Sequence, residues 1–173
     1  DRRAAVGGDS VAALAAWKQR ELLRIAARDL IGEADFEATV ASISGVAAAA
    51  LSAAVVLAGA DGLAVIAMGK LGASELNYAS DVDIVLVGQD AGSDEMRRAR
   101  RLLTVAGRVW SIDTALRPEG RDGALVRTID AYTSHWARWA EPWEVQALLK
   151  ARPVAGDAGL GEDAAVALIS RAG

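Results

Sequence analysis

The chain has 173 residues, with 23 Asp plus Glu against 19 Lys plus Arg, one His and no Cys, giving a formal net charge of −4. Without Cys there is no disulfide scaffold, thiol nucleophile, Cys-based zinc site or iron–sulfur cluster, and a single His excludes most His-based metal sites. The mildly acidic balance supplies no bulk basic field for nucleic acid, so the available chemistry is that of carboxylates, Lys, Arg, hydroxyls and backbone.

The start, Asp1-Arg2-Arg3-Ala4-Ala5, has no apolar segment behind it, so no signal peptide is expected. The ends read as those of a piece cut from a longer chain, and a cytoplasmic location is the default expectation. Ser10 to Leu30 has Leu14, Trp17, Leu22, Ile25 and Leu30 at near-helical spacing, with Ser10 as cap and Gly32 as stop. A second helix is expected from Asp35, its N-cap, to about Leu57. Gly45 inside it marks either a weak point or a close helix contact. The longest apolar stretch, Val46 to Ala60, falls short of the roughly 20 residues that span a bilayer and reads as a buried Ala-rich helix, so no membrane partner is expected.

After a turn at Ala60-Asp61-Gly62 the texture changes. Leu63 to Met68 is a continuous apolar run that suits a strand buried on both faces. Gly69-Lys70-Leu71-Gly72 turns into a short helix, and Val82 to Val87 reads as a second strand. Ser93 to about Val109 is a helix carrying Arg97, Arg98, Arg100, Arg101 and Arg108, a solvated face. Trp110 to Leu116 reads as a third strand stopped by Pro118, and Ala124 to Arg127 as a short fourth one. Helices follow at Ile129–Ala140, at Pro142–Ala151 with Pro142 in its first turn, and from about Glu162 to Ala172. This order argues an α+β fold, divided into an N-terminal helical segment (1–60), a core (61–128) and C-terminal helices packing on it (129–173).

The informative stretch runs from Met68 to Asp83. A buried strand delivers the chain to Gly69, where backbone must turn sharply or approach something closely. A helix begins there whose free N–H groups can face an anion. Asp81 and Asp83 then bracket Val82, and on a strand residues i and i+2 point the same way. Two such carboxylates stay ionised together only with a cation, and hard oxygen ligands suit Mg²⁺. Asp113 offers a third carboxylate if its strand lies beside that of Asp83. Three converging carboxylates can hold two Mg²⁺ ions for in-line phosphoryl or nucleotidyl transfer, with Arg117 placed to meet a phosphate. The chain lacks a P-loop and a dinucleotide-binding Gly-x-Gly-x-x-Gly.

The combination of strand, Gly-Lys turn, spacer, Asp81-Val82-Asp83 and Asp113 resembles the DNA polymerase β-like nucleotidyltransferase superfamily, with Lys70 where that signature usually has a small residue. More narrowly, Gly69-Lys70-Leu71-Gly72, Glu75-Leu76-Asn77-Tyr78, Leu116-Arg117-Pro118-Glu119-Gly120 and Gln146 to Arg152 resemble the glutamine synthetase adenylyltransferase/adenylyl-removing family. The resemblance runs from the Arg20–Ile25 helix to about Asp157. It implies a polymerase β-like core of small mixed sheet and helices. It also implies Asp81, Asp83 and Asp113 as catalytic residues and ligands of a two-Mg²⁺ site. Gly69, Lys70, Ser80, Arg117, Lys150 and Arg152 are the implied nucleotide or phosphate contacts. Helix-dipole complementation is an equal reading for Lys150 and Arg152, and local turn bonding for Asn77 and Ser80.

The implied partners are glutamine synthetase, ATP or ADP and phosphate, with a PII-type signal protein as an open alternative. The family carries two such domains in tandem. One transfers AMP from ATP to a glutamine synthetase tyrosine; the other removes it by phosphorolysis, giving ADP. The transferring copy typically has Gly where this chain has Asn77, so the resemblance points to the removing copy. The transferring copy and a non-catalytic regulatory module are the alternatives. Ala115 stands where many relatives have Arg, which removes one basic contact. His135 reads as a structural residue, and Trp136, Trp139 and Trp143, at i, i+3 and i+7, as core packing between helices rather than a nucleotide stack.

Overall fold

A computed structural model describes residues 2–139 and 142–170, with side chains from residue 10 onward except at 142 and 143. Helix α1 (Arg2–Leu30) pairs with α2 (Phe36–Ala58). α1 begins eight residues before the expected start, so Ser10 lies inside the helix and does not cap it. Leu30, expected on the apolar face, is exposed, while Val11 and Ile25 are buried. The start of α2 is as the sequence implies: Asp35 is extended and its Oδ1 accepts the Ala38 N–H at 2.8 Å, satisfying one of the free donors of the first turn. α2 ends on Gly59 at φ +59°, a left-handed C-cap. Nothing lies within 4 Å of where a Cβ on Gly45 would stand, so that glycine marks no close helix contact. By length and composition α2 could cross a membrane; in this fold Ile43, Ala47, Leu51 and Ala54 along its inner face are buried.

The sheet is mixed. β1 (Ala64–Ala67) lies antiparallel between β2 (Val82–Val87) and β5 (Arg152–Gly156). The far edge of β2 carries two short parallel partners end to end. β3 (Ile112–Asp113) pairs at Val82 and Asp83, and β4 (Val126–Arg127) at Leu86 and Val87. The strand expected over Trp110–Leu116 is therefore two residues long, because the chain leaves the sheet at once to form the 114–123 loop. The strand β5 has no counterpart in the sequence reading, which placed only helices after Arg127. Pro153 sits within it, as is tolerated on an edge strand.

Helices cover both faces, which is why every residue of β1 is buried. On one side Val65, Ala67, Val82, Ile84 and Leu86 pack with α2 and α4 (Ser93–Ala106). On the other, Ala64, Ile66, Val85 and Val87 pack with α5 (Ile129–Trp139), α6 (Pro142–Leu148) and α7 (Ala158–Ile169). The alternation along β2 puts Asp83 on the same side as Val85 and Val87, at the end of the strand nearest β3. Within α5, Tyr132 is fully buried, donates its hydroxyl to Leu86 O at 3.1 Å and stacks on Trp136 with ring centroids 5.0 Å apart. Trp136 is thus core, as expected, but Trp139 is 71% exposed and not core. The Trp143 side chain lies outside the described residues.

Asp35→Ala removes the α2 cap and is expected to lower unfolding stability by about 1 kcal/mol. Urea denaturation checks this, with Asp35→Asn retaining most of the wild-type value.

Candidate active site

Gly69 opens the four-residue helix α3 (Gly69–Gly72) with φ +51°, in the left-handed region. A Cβ there would collide with Asp83 Oδ2, so the chain runs directly against the Asp83 carboxylate. Glycine meets both conditions, a left-handed φ and a close approach. Met68 N donates to Asp83 O at 2.9 Å, tying the entry of the turn to the same residue.

Asp83 stands opposite Asp113 in the parallel β2–β3 register. Paired residues on adjacent strands share a face at a strand spacing of about 4.8 Å, and Asp81, just before β2, is near enough for its charge to act on Asp83. The structure therefore brings the three expected carboxylates to one strand end beside Gly69. Burial pushes the Asp83 carboxyl above its usual range; the charges of Asp113 and then Asp81 push it further, and Lys70 opposes them. Carboxylates that share a site behave this way. In their present rotamers the three are not closed around a common point, and among the described residues no group of three acidic or imidazole side chains reaches metal-ligating distance. Asp113 is turned to other partners: Oδ1 accepts Ala115 N–H at 2.7 Å and Oδ2 faces Arg121 at 3.9 Å. The donor chemistry fits Mg²⁺. All three groups are hard oxygen donors, and a divalent cation would relieve their repulsion.

Lys70 and Ser80 meet at this end, with Lys70 Nζ donating to Ser80 Oγ at 3.2 Å. Ser80 Oγ donates to Asn77 Oδ1 at 2.8 Å, and that oxygen also accepts Ala79 N–H at 3.1 Å. Asn77 and Ser80 thus form the local turn that delivers Asp81. Lys70 is exposed, with its charge acting on Asp83.

The remaining basic residues have other partners. Arg117 is only 8% exposed. It donates through Nε to Gly123 O, through Nη1 to Thr114 O and Oγ1, and through Nη2 to Arg121 O. Its guanidinium braces the 114–123 loop from inside. Arg152 donates to Leu71 O at 2.8 Å and Gly72 O at 3.1 Å, holding the end of α3. Lys150 forms an exposed ion pair with Glu75 at 3.3 Å. A Cβ on Gly72 would strike Lys150 O, so the chain around Lys150 packs against α3 backbone to backbone. His135 is half-buried on α5, outside this cluster.

Two positioning residues escaped the sequence reading. Ser44, buried on α2, accepts Leu76 N–H at 3.0 Å and so anchors the loop after α3. Trp110 donates its Nε1–H to Ser80 O at 3.1 Å, directly before Asp81. Neither bond has a local spacing signature: the partners are 32 and 30 residues apart.

A family model described as glutamate-ammonia ligase adenylyltransferase matches residues 7–166. The chain is 46% identical to a bifunctional glutamine synthetase adenylyltransferase/adenylyl-removing enzyme of Streptomyces avermitilis, over 94% of the chain and 18% of the relative. The same-named protein of Streptomyces coelicolor is 46% identical over 97% of the chain and 19% of the relative. That of Mycobacterium tuberculosis H37Rv is 45% identical over 86% and 16%. The chain thus spans less than a fifth of the length of these curated relatives.

Gly69→Ala places a methyl against Asp83 in a left-handed conformation, which alone costs about 1–2 kcal/mol; a loss of at least that size is expected in urea denaturation. A second expectation concerns pH. The folded state holds the Asp83 proton more tightly than the unfolded chain. Without metal, its contribution to stability therefore falls as pH rises from the unfolded carboxyl pKa through the raised folded one. Asp83→Asn should flatten that decline, read as a melting temperature at or above wild type once the pH lies above the raised carboxyl range.

Proposed function

We propose that this chain, which belongs to the glutamate-ammonia ligase adenylyltransferase family, is a nucleotidyl-transfer domain. In this reading it removes AMP from adenylylated glutamine synthetase in the cytoplasm. The observation that carries the reading is the in-register pairing of Asp83 with Asp113, with Asp81 just before β2 and Gly69 against Asp83. The names of the relatives supply the protein substrate. Asn77 favours the removing direction through the resemblance stated above.

In the removing direction an oxygen of inorganic phosphate attacks the AMP phosphorus. The bond from phosphorus to the tyrosine oxygen breaks, the tyrosine regains its proton and ADP leaves. Asp81, Asp83 and Asp113 would hold Mg²⁺, which when bound neutralises charge on the attacking and leaving oxygens. The flexible ammonium of Lys70, held near Ser80, meets the phosphates. The Gly69 turn lets backbone N–H groups lie along them, because no side chain intervenes. Arg117 and Arg152 act indirectly, one holding the loop after Asp113 and the other the end of α3.

The test is release of ADP from adenylylated glutamine synthetase. It should require both Mg²⁺ and phosphate, and Asp81→Asn or Asp83→Asn should lower it by about 10³-fold, roughly 4 kcal/mol of transition-state stabilisation. Release without phosphate, or full activity in Asp83→Asn, defeats the reading. Incorporation of label from ATP into unmodified glutamine synthetase would reassign the direction to transfer.

A further inference from the structure

A groove runs from the site along the start of α2, and the mechanism above leaves it unused. Its inner part is a cavity of about 260 Å³ lined by Phe36, Thr39, Val40, Ile43, Asn77 and Tyr78. Its outer part, about 560 Å³, shares Phe36, Val40 and Asn77 and extends to Lys70. The two parts meet at those three residues, and the mouth of the outer one lies at Lys70, with Glu37 and Glu75 also on its wall.

Its walls are unusual for a chain with one Phe and two Tyr. Phe36, at the first turn of α2, is 71% exposed, and Tyr78 is 44% exposed. The Tyr78 ring is held in place, since its hydroxyl donates to Asp29 Oδ2 at 3.0 Å. Thr39 borders the inner cavity, is 4% exposed, and its hydroxyl has no hydrogen-bond partner. A helical Thr commonly bonds the carbonyl one turn back. This one instead stays unsatisfied beside a cavity, where a buried polar group costs stability.

We propose that this groove receives the adenine base of the nucleotide, an inference that rests on the nucleotidyl-transfer reading. A purine is a flat, apolar ring with hydrogen-bonding edges. It fits between exposed aromatic walls with a polar group at the floor. The phosphates then emerge at the mouth, where Lys70 supplies the positive charge. One end of the channel matches the base and the other the anion, in the order in which a nucleotide carries them. Asn77 belongs to both parts: its side chain orders the turn before Asp81 and borders the groove.

The experiment is a calorimetric titration of the full chain with adenosine, with ADP plus Mg²⁺ and with pyrophosphate plus Mg²⁺. Phe36→Ala and Tyr78→Ala should each weaken adenosine and ADP about tenfold, the loss of one base–aromatic stack, and leave pyrophosphate unchanged. Asp83→Asn should do the reverse, losing Mg²⁺-dependent pyrophosphate binding and keeping adenosine. If ADP and pyrophosphate bind and neither ring variant changes ADP affinity, the groove assignment is overturned and the proposed function stands. If neither ADP nor pyrophosphate binds the wild type, yet adenosine binds and is lost in Phe36→Ala, the proposed function fails and base recognition by the groove survives. Variants that bind ADP normally but slow turnover on adenylylated glutamine synthetase assign the groove to an apolar segment of the protein substrate and also overturn the proposal.

Discussion

The rest of the site is organised around two negative charges held side by side. Parallel pairing of β2 with β3 sets Asp83 opposite Asp113, with Asp81 one pleat away. Left to themselves, these groups would favour any rearrangement that separates them; the Asp83 carboxyl is pushed upward first by its burial and then by the charges of Asp113 and Asp81. The surrounding bonds are what such an arrangement demands. Met68 N–H holds the Asp83 carbonyl, Ser111 O receives the Val82 N–H at 2.8 Å, and Trp110 clamps Ser80. The stabilisation that permits the cluster comes from hydrophobic layers on both faces of the sheet, not from the cluster itself.

The supporting shell is made largely of side chains bonding to backbone. Ser44 from α2, Trp110 from the segment after α4, Arg152 from β5 and Arg117 from within its own loop each meet main-chain groups near the carboxylates. Each fixes a stretch of chain rather than touching the reacting centre. A buried guanidinium with its donors satisfied on one loop is a rigid strut. It keeps its geometry because leaving those carbonyls unpaired would be costly. Lys70 and Asp81, by contrast, are exposed.

Much of this was legible in the sequence, for identifiable reasons. The start of α2 follows from Asp35 as cap. β1 follows from an uninterrupted apolar run, and β2 from apolar residues flanking Asp83. All three are local signals. Asp83 drew notice in the sequence because an acidic residue inside an apolar strand contradicts burial unless a polar or charged group meets it. What was not legible depended on distant partners. β5 contains Pro and Gly and becomes a strand only because the edge of β1 is available. Arg117, next to Pro118 and just after Asp113, reads as an exposed phosphate contact until the 114–123 loop is seen to fold around it. Ser10 resembles a cap by composition, but α1 starts upstream of it.

The bond from Arg152 to Leu71 joins residues 81 apart, and it has a temporal meaning. A ribosome adding about 5–20 residues per second completes Gly69, Asp83 and Asp113 well before it makes Arg152. Until then β1 has a bare edge and the end of α3 has no clamp. A nascent chain bearing every acidic residue of the site thus lacks the frame that sets them, and assembly waits for a late, long-range strand pairing. The sheet edge at β1 and the clamp on α3 are completed only by the segment that contains β5.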